Sequence, residues 1–142
     1  MASKVGNITF YANDPARLSE FWALALGYPV ARFEGEFKEF LLSTGLTEED
    51  LTKRGLAEDP TGEGPRLFFH HAAQEKAGRN RLHLDIQATP GRRPTREELD
   101  VEAERLVGLG ASVVRLVEQD WGPETECYYQ MRDPEGNEFC LQ

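Results

Sequence analysis

The feature that most constrains this chain is that its second half repeats the order of elements of its first. From Lys4 to Ala12 apolar and polar residues alternate. Ile8, Phe10 and Ala12 take one face and Asn7, Thr9 and Tyr11 the other, the pattern of a half-buried strand. The strand ends at Asn13-Asp14-Pro15, where Asp14 suits an N-cap and Pro15 the first helical position. Leu18, Phe21, Trp22, Ala25 and Leu26 then recur at helical spacing up to Gly27. In the second half, Arg79 to Ala88 reads as the opening strand. Thr95 and Glu98 form a capping box, Leu99, Ala103, Leu106 and Val107 make the apolar stripe, and Gly110 closes the helix. LALGY ends the first helix where LVGLGA ends the second, and GPRLFFH stands in the place of GNEFCLQ.

The remaining segments complete each half as strand, helix and three strands. Tyr28 to Glu34 and Glu36 to Thr44 are expected as two strands around a turn at Gly35, followed by Pro65 to His71. Between them, residues 45–64 are acidic and glycine-rich and read as an excursion, a lid or a solvated loop, with one short helix starting near Thr47. Residues 72–78 are a connector. In the second half Ser112 to Val117, Glu126 to Arg132 and Glu138 to Gln142 are expected strands, the last two joined by a tight turn over Asp133 to Asn137. The fold expected is α+β, built from paired modules of about residues 1–72 and 79–142. At 142 residues the chain is long enough to bury one core without staples.

Charge narrows the partners. Asp and Glu number 25 against 16 Lys and Arg, a formal net charge of −9, which repels phosphate backbones and anionic lipid surfaces. No nucleic acid and no membrane are expected as partners. MASKVGN has no apolar core of a signal peptide, so a cytoplasmic location is expected. Two cysteines, Cys127 and Cys140, imply no disulfide framework.

The richest chemistry lies in RNRLHLDIQA, residues 79–88. In an extended segment Arg81, His83 and Asp85 point one way and Leu82, Leu84 and Ile86 the other. Such a strand is either a site wall or a polar edge facing solvent. Glu138 shares a face with Cys140, either as a carboxylate for a site or as the charge partner of Arg81. Across a hairpin closed by the 133–137 turn, Cys140 is expected beside Tyr129, with Cys127 only diagonal to it. Cys140 reads as a small buried hydrophobe or as a thiol activated by His83 or Arg81. Trp121, in the DWGP loop, is either a loop anchor or a platform for a planar ligand.

DPARLSEFWALALGY, RNRLHLDI, RLVGLGA and DPEGNEFC, in this order, resemble the vicinal oxygen chelate superfamily, and within it the glyoxalase-like domains related to bleomycin-resistance proteins. The likeness spans nearly the whole chain. It implies a single glyoxalase-like domain, residues 1–142, of two βαβββ modules whose curved mixed sheets form a cup. That cup commonly holds a divalent metal or a small organic ligand, often in a homodimer.

The resemblance also implies where metal ligands belong: a His in the opening strand of each module and a carboxylate late in each. Position by position, Asn7 stands for the first His, His83 matches the second, Cys140 replaces the late carboxylate of the second module, and Phe68 occupies the place in the first, with His70 two residues on. His83, His70 and Cys140 would suit zinc if the strand carrying His70 shifted in register. The expectation is therefore a cup for a small organic molecule without a complete metal site and with no cofactor. Its wall comprises Asn7, Thr9, Phe68, His70, Arg81, Asp85, Trp121, Glu138 and Cys140, and His83 is the candidate acid or base, because imidazole titrates near neutrality. The alternative is a metal-dependent lyase, isomerase or ring-cleaving dioxygenase using Zn, Fe, Mn or Ni.

Overall fold

The caps decide where the helices lie. In the computed structural model, which describes residues 1–142, Asp14 accepts from the Arg17 amide at 3.1 Å and opens α1, Pro15–Leu26. Gly27 ends it in the left-handed region at φ 72°, a conformation that costs glycine nothing. Thr95 and Glu98 form the anticipated capping box of α4, Arg96–Leu109. Thr47 and Asp50 build a second such box at the start of α3, Glu48–Thr52.

The chain divides into two compact units, Met1–Glu75 and Lys76–Gln142. In the first, β1 (Asn7–Ala12) lies parallel to β3 (Arg66–His71), and β2 (Arg54–Ala57) lies antiparallel to β3, giving the order β1-β3-β2. The core side of this sheet receives α1. Leu18 and Trp22 are fully buried, Phe10 stacks on Phe69 at 5.1 Å, and its ring lies 5.7 Å from Trp22. Phe21 and Trp22 are thus core, as their spacing predicts. β2 reaches α1 because Gly55 has no side chain: a Cβ there would stand 2.3 Å from the Pro15 carbonyl oxygen.

Two strand expectations fail in this unit. Residues 28–34 form no regular element, and α2, Gly35–Ser43, is a helix. Phe37, Phe40 and Leu41 follow a spacing of three and four, which is helical and does not alternate. The expected excursion at 45–64 contains not only α3 but β2, which pairs Gly55 with Phe69 and Leu56 with Phe68.

In the second unit the sheet order is β4-β7-β6-β5, formed by β4 (Leu84–Ile86), β5 (Ser112–Trp121), β6 (Glu124–Arg132) and β7 (Glu138–Leu141). β4 runs parallel to β7, which is antiparallel to β6 in turn. Leu99, Ala103 and Leu106 of α4 are buried, as are Met131, Phe139 and Leu141 of the sheet; Val107, expected on the stripe, is exposed. The mixed α+β class holds, with two mixed open sheets and four helices. The repeat is also visible in register. Thr9 pairs with Phe68 and Asp85 with Cys140, so aligning Asn7 with His83 brings the two sheets into correspondence.

Candidate functional site

The polar face of the second sheet is assembled by register. Asp85 lies beside Cys140, Cys140 beside Gln130, and Gln130 beside Arg115. Strand alternation therefore sets these four in a row on the face opposite Met131, Phe139 and Leu141. In the next row along, Glu138 pairs with Arg132. These residues, with Lys76, Arg79 and His83, line an open groove of about 920 Å³.

At one end of the row stands a three-residue cluster. His83 precedes β4, and its Nδ1 lies 3.0 Å from Asp85 Oδ1, a hydrogen-bond distance, with both side chains about half exposed. In a neutral imidazole with the proton on Nδ1, Nε2 keeps a free lone pair. Cys140 is the third member, and one donor atom of each residue lies within 4.8 Å of the others. Burial pushes the Cys140 thiol up, the charge of Asp85 and a hydrogen bond to it add to this, and Arg79 opposes it. The sulfur is accordingly a thiol at neutral pH, held by Asp85.

Beside the cluster, Glu138 accepts from Lys76 Nζ and from the Asn80 amide, each at 3.0 Å. Burial raises its pKa, but these two donors outweigh it and bring the carboxyl down to about 2. Lys76 Nζ also donates to the Gly78 carbonyl. The partner of Glu138 is therefore Lys76 and not Arg81, because the connector folds back on the start of β7. Cys140 likewise faces Gln130 rather than Tyr129, which pairs with Leu141. Cys127 faces Glu118, and both thiols are free.

The family model for the glyoxalase-like domain matches residues 7–142. The chain belongs to the glyoxalase-like family. Similar solved structures include a glyoxalase/bleomycin resistance protein/dioxygenase family enzyme from Burkholderia phytofirmans, 14% identical with a TM-score of 0.61, covering 98% of this chain and 97% of that one. A glyoxalase-related enzyme from Fulvimarina pelagi is 15% identical with a TM-score of 0.61, covering 99% and 87%. A glyoxalase/bleomycin resistance protein from Albidiferax ferrireducens is 14% identical with a TM-score of 0.57, covering 98% of each chain. At such identities the likeness is one of fold, that of the vicinal oxygen chelate superfamily. No curated protein sequence matches the chain. No helix is long and apolar enough to cross a membrane.

Glyoxalase-like proteins of this superfamily often use a divalent metal, and the second unit's cluster fits one. Around tetrahedral zinc, neighbouring ligand atoms stand about 3.3–3.8 Å apart, given bonds of about 2.0–2.3 Å. The nitrogen, oxygen and sulfur donors of His83, Asp85 and Cys140, all within 4.8 Å of one another, are of the types zinc takes and stand somewhat wider than that spacing. The set differs from the sequence expectation by including Asp85. His70, the other expected ligand, sits in the first unit, where it pairs with Tyr11 and Arg54 and its ring lies 4.8 Å from that of Phe68.

The other candidates are placed as follows. Asn7, Thr9, Phe68 and His70 share the polar face of the first sheet, and Asn7 Oδ1 accepts from Arg66 Nε at 3.2 Å. Arg81 is exposed ahead of β4. Trp121 ends β5 opposite Glu124, 60% exposed, beside the Gly122-Pro123 turn. Sequence reasoning missed Lys76, Arg79, Arg115, Gln130 and Arg132, which also line the groove. Lys76 lies in a connector without periodicity, Arg79 stands at the start of a segment expected as strand from which β4 forms only at Leu84–Ile86, and Arg115 is turned to this face by a bulge.

Proposed function

We propose that the glyoxalase-like chain binds a small organic molecule on the polar face of its second sheet. The observation that carries this is the groove of about 920 Å³, a volume in the range of small-molecule sites, whose row of Asp85, Cys140, Gln130 and Arg115 is set by strand pairing. His83 is the acid or base of this reading, oriented by Asp85 and with Nε2 open to a ligand. Arg81 and Trp121 are proposed as further contacts of this unit, and Asn7, Thr9, Phe68 and His70 as ligand-binding residues of the first unit's own polar sheet face. The reading includes one domain over residues 1–142, a homodimer and a cytoplasmic location. A fragment screen followed by amide NMR tests it: hits should perturb Asp85, Gln130 and Cys140 together. Hits that leave those three amides unmoved overturn it.

The His83, Asp85 and Cys140 cluster favours a second reading, a metal-dependent lyase, isomerase or dioxygenase. A divalent metal such as zinc would supply a Lewis acid there, and iron, manganese and nickel are the other candidates. The three side chains would hold it, Cys140 after losing the proton that Asp85 and burial now retain. Metal content of the purified protein, measured beside His83→Ala, tests this. Near-stoichiometric metal that is lost in the variant supports it, and equal content in both proteins excludes it.

A further inference from the structure

The groove holds guanidinium groups that the protein itself leaves without carboxylate partners. In the same unit Arg92, Arg93, Arg96 and Arg105 each carry a carboxylate oxygen within 3.1 Å. Arg79, Arg115 and Arg132 line the groove and have no such partner, in a chain whose acids outnumber its bases by nine. The groove's carboxylates are partly committed already: Glu138 to Lys76 and the Asn80 amide, Asp85 to His83 and Cys140. Glu126 and Glu135 also line it.

Arg115 is aimed on purpose by the backbone. β5 pairs Val113 with Met131 and then Arg115 with Gln130, so Val114 is an extra residue. Without that bulge Arg115 would pair with Tyr129 and point to the helix side. With it, the side chain joins the groove face, a recognised use of bulges beside sites. Gln130 Oε1 then accepts from Arg115 Nε at 2.8 Å and fixes the stem. The terminal nitrogens remain as a fork, the geometry that takes a carboxylate or phosphate in two parallel hydrogen bonds. Arg132 stands two residues from Gln130 on β6, about 7 Å along the same face.

We propose that Arg115 and Arg132 form an anion clamp, so that the ligand of the groove is an organic anion with its acid group beside Gln130. This rests on the groove being the binding site and adds the ligand's charge class.

The test uses metal-stripped protein and two isosteric probes, phthalate and the neutral phthalamide, followed by side-chain NMR of arginine Nε–H and by calorimetry. Phthalate should bind, shift the Arg115 Nε–H signal, and weaken at least tenfold in Arg115→Gln and in Arg132→Gln. Raising salt should weaken it further, whereas phthalamide should not bind. If both probes bind equally and the variants change nothing, the clamp is wrong and the groove reading stands. If neither probe moves any groove residue, both are wrong. Backbone spectra of the two variants confirm that they fold, and Arg115→Lys should recover only part of the affinity, since an ammonium lacks the fork.

Discussion

At matching positions of the two sheets stand Gly55 and Tyr129, and they bring helix to sheet in opposite ways. Gly55 pairs with Phe69, and Tyr129 pairs with Leu141, the residue that corresponds to Phe69 in the repeat. In the first unit the missing side chain lets α1 descend until the Pro15 carbonyl nearly touches β2. In the second, the matching position carries Tyr129, whose hydroxyl donates to Asp100 of α4 at 2.6 Å. Close packing secures one unit and a charged hydrogen bond the other. The pair of units teaches that a repeated topology can join helix to sheet through a glycine's close approach in one copy and through a tyrosine's hydrogen bond in the other.

Gly55→Ala should break the first half of this comparison most severely. Its methyl meets the Pro15 oxygen at 2.3 Å and Ser19 Oγ at 2.6 Å, so backbone must move. A loss of about 3 kcal/mol is expected from overpacking, read as a lowered denaturation midpoint. Tyr129→Phe removes only the hydroxyl bonded to Asp100, and should cost about 1.5 kcal/mol. It should also release Asp100, whose carboxyl is held low first by Tyr129 and then by Arg96, toward its ordinary range. If Tyr129→Phe were as damaging as Gly55→Ala, the contrast between packing and hydrogen bonding would fail.

A smaller effect compares the caps. Thr95→Ala loses the bond to the Glu98 amide and should cost about 1 kcal/mol. Asp14→Ala should cost a similar amount in the first unit, where the bond to Arg17 is lost. The smallest effect concerns pH. Glu138 is lowered in the folded state to about 2 from an ordinary 4.5, so its stabilising contribution is complete above about 4.5 and disappears as pH falls toward 2. Carboxyl NMR should place its midpoint near 2, and Lys76→Met should raise it. An unchanged midpoint in that variant would assign the lowering to the backbone amides of Asn80 and Glu138.

The helices that open with caps and close on glycine were legible because those signals are local. Asp14-Pro15, Thr95 with Glu98, Gly27 and Gly110 each act within one turn. α2 was not, since Phe37, Phe40, Leu41 and Leu42 have strand-forming bulk in a segment too short for the period to stand out. β2 offers only Arg-Gly-Leu-Ala, and its place depends on Phe68 and Phe69 far along the chain.

At the site, His83 and Cys140 were visible as residues, but the neighbour of Cys140 was misplaced by one. The five-residue turn forms as expected, with Asp133 Oδ1 accepting from the Glu135 and Asn137 amides; it sets Arg132 opposite Glu138, and counting back along the ladder gives Gln130, not Tyr129, opposite Cys140. Arg115 was hidden for a related reason: one bulged residue inverts alternation, and nothing in Ser112 to Val117 announces it.

The position of β3 and β7 in their sheets bears on how the chain is made. Each is the last strand of its unit in sequence and lies between its neighbours, with β3 joining β1 to β2 and β7 joining β4 to β6. During synthesis, β1 therefore waits without a partner through α1, α2, α3 and β2, and β4 through α4, β5 and β6. Neither unit can close part-way, because the strand that unites its sheet emerges last. The first unit can close once residues 66–71 have left the ribosome, while the groove forms only after residues 138–141 have done so. The groove is thereby assembled after the first unit's sheet can already have closed.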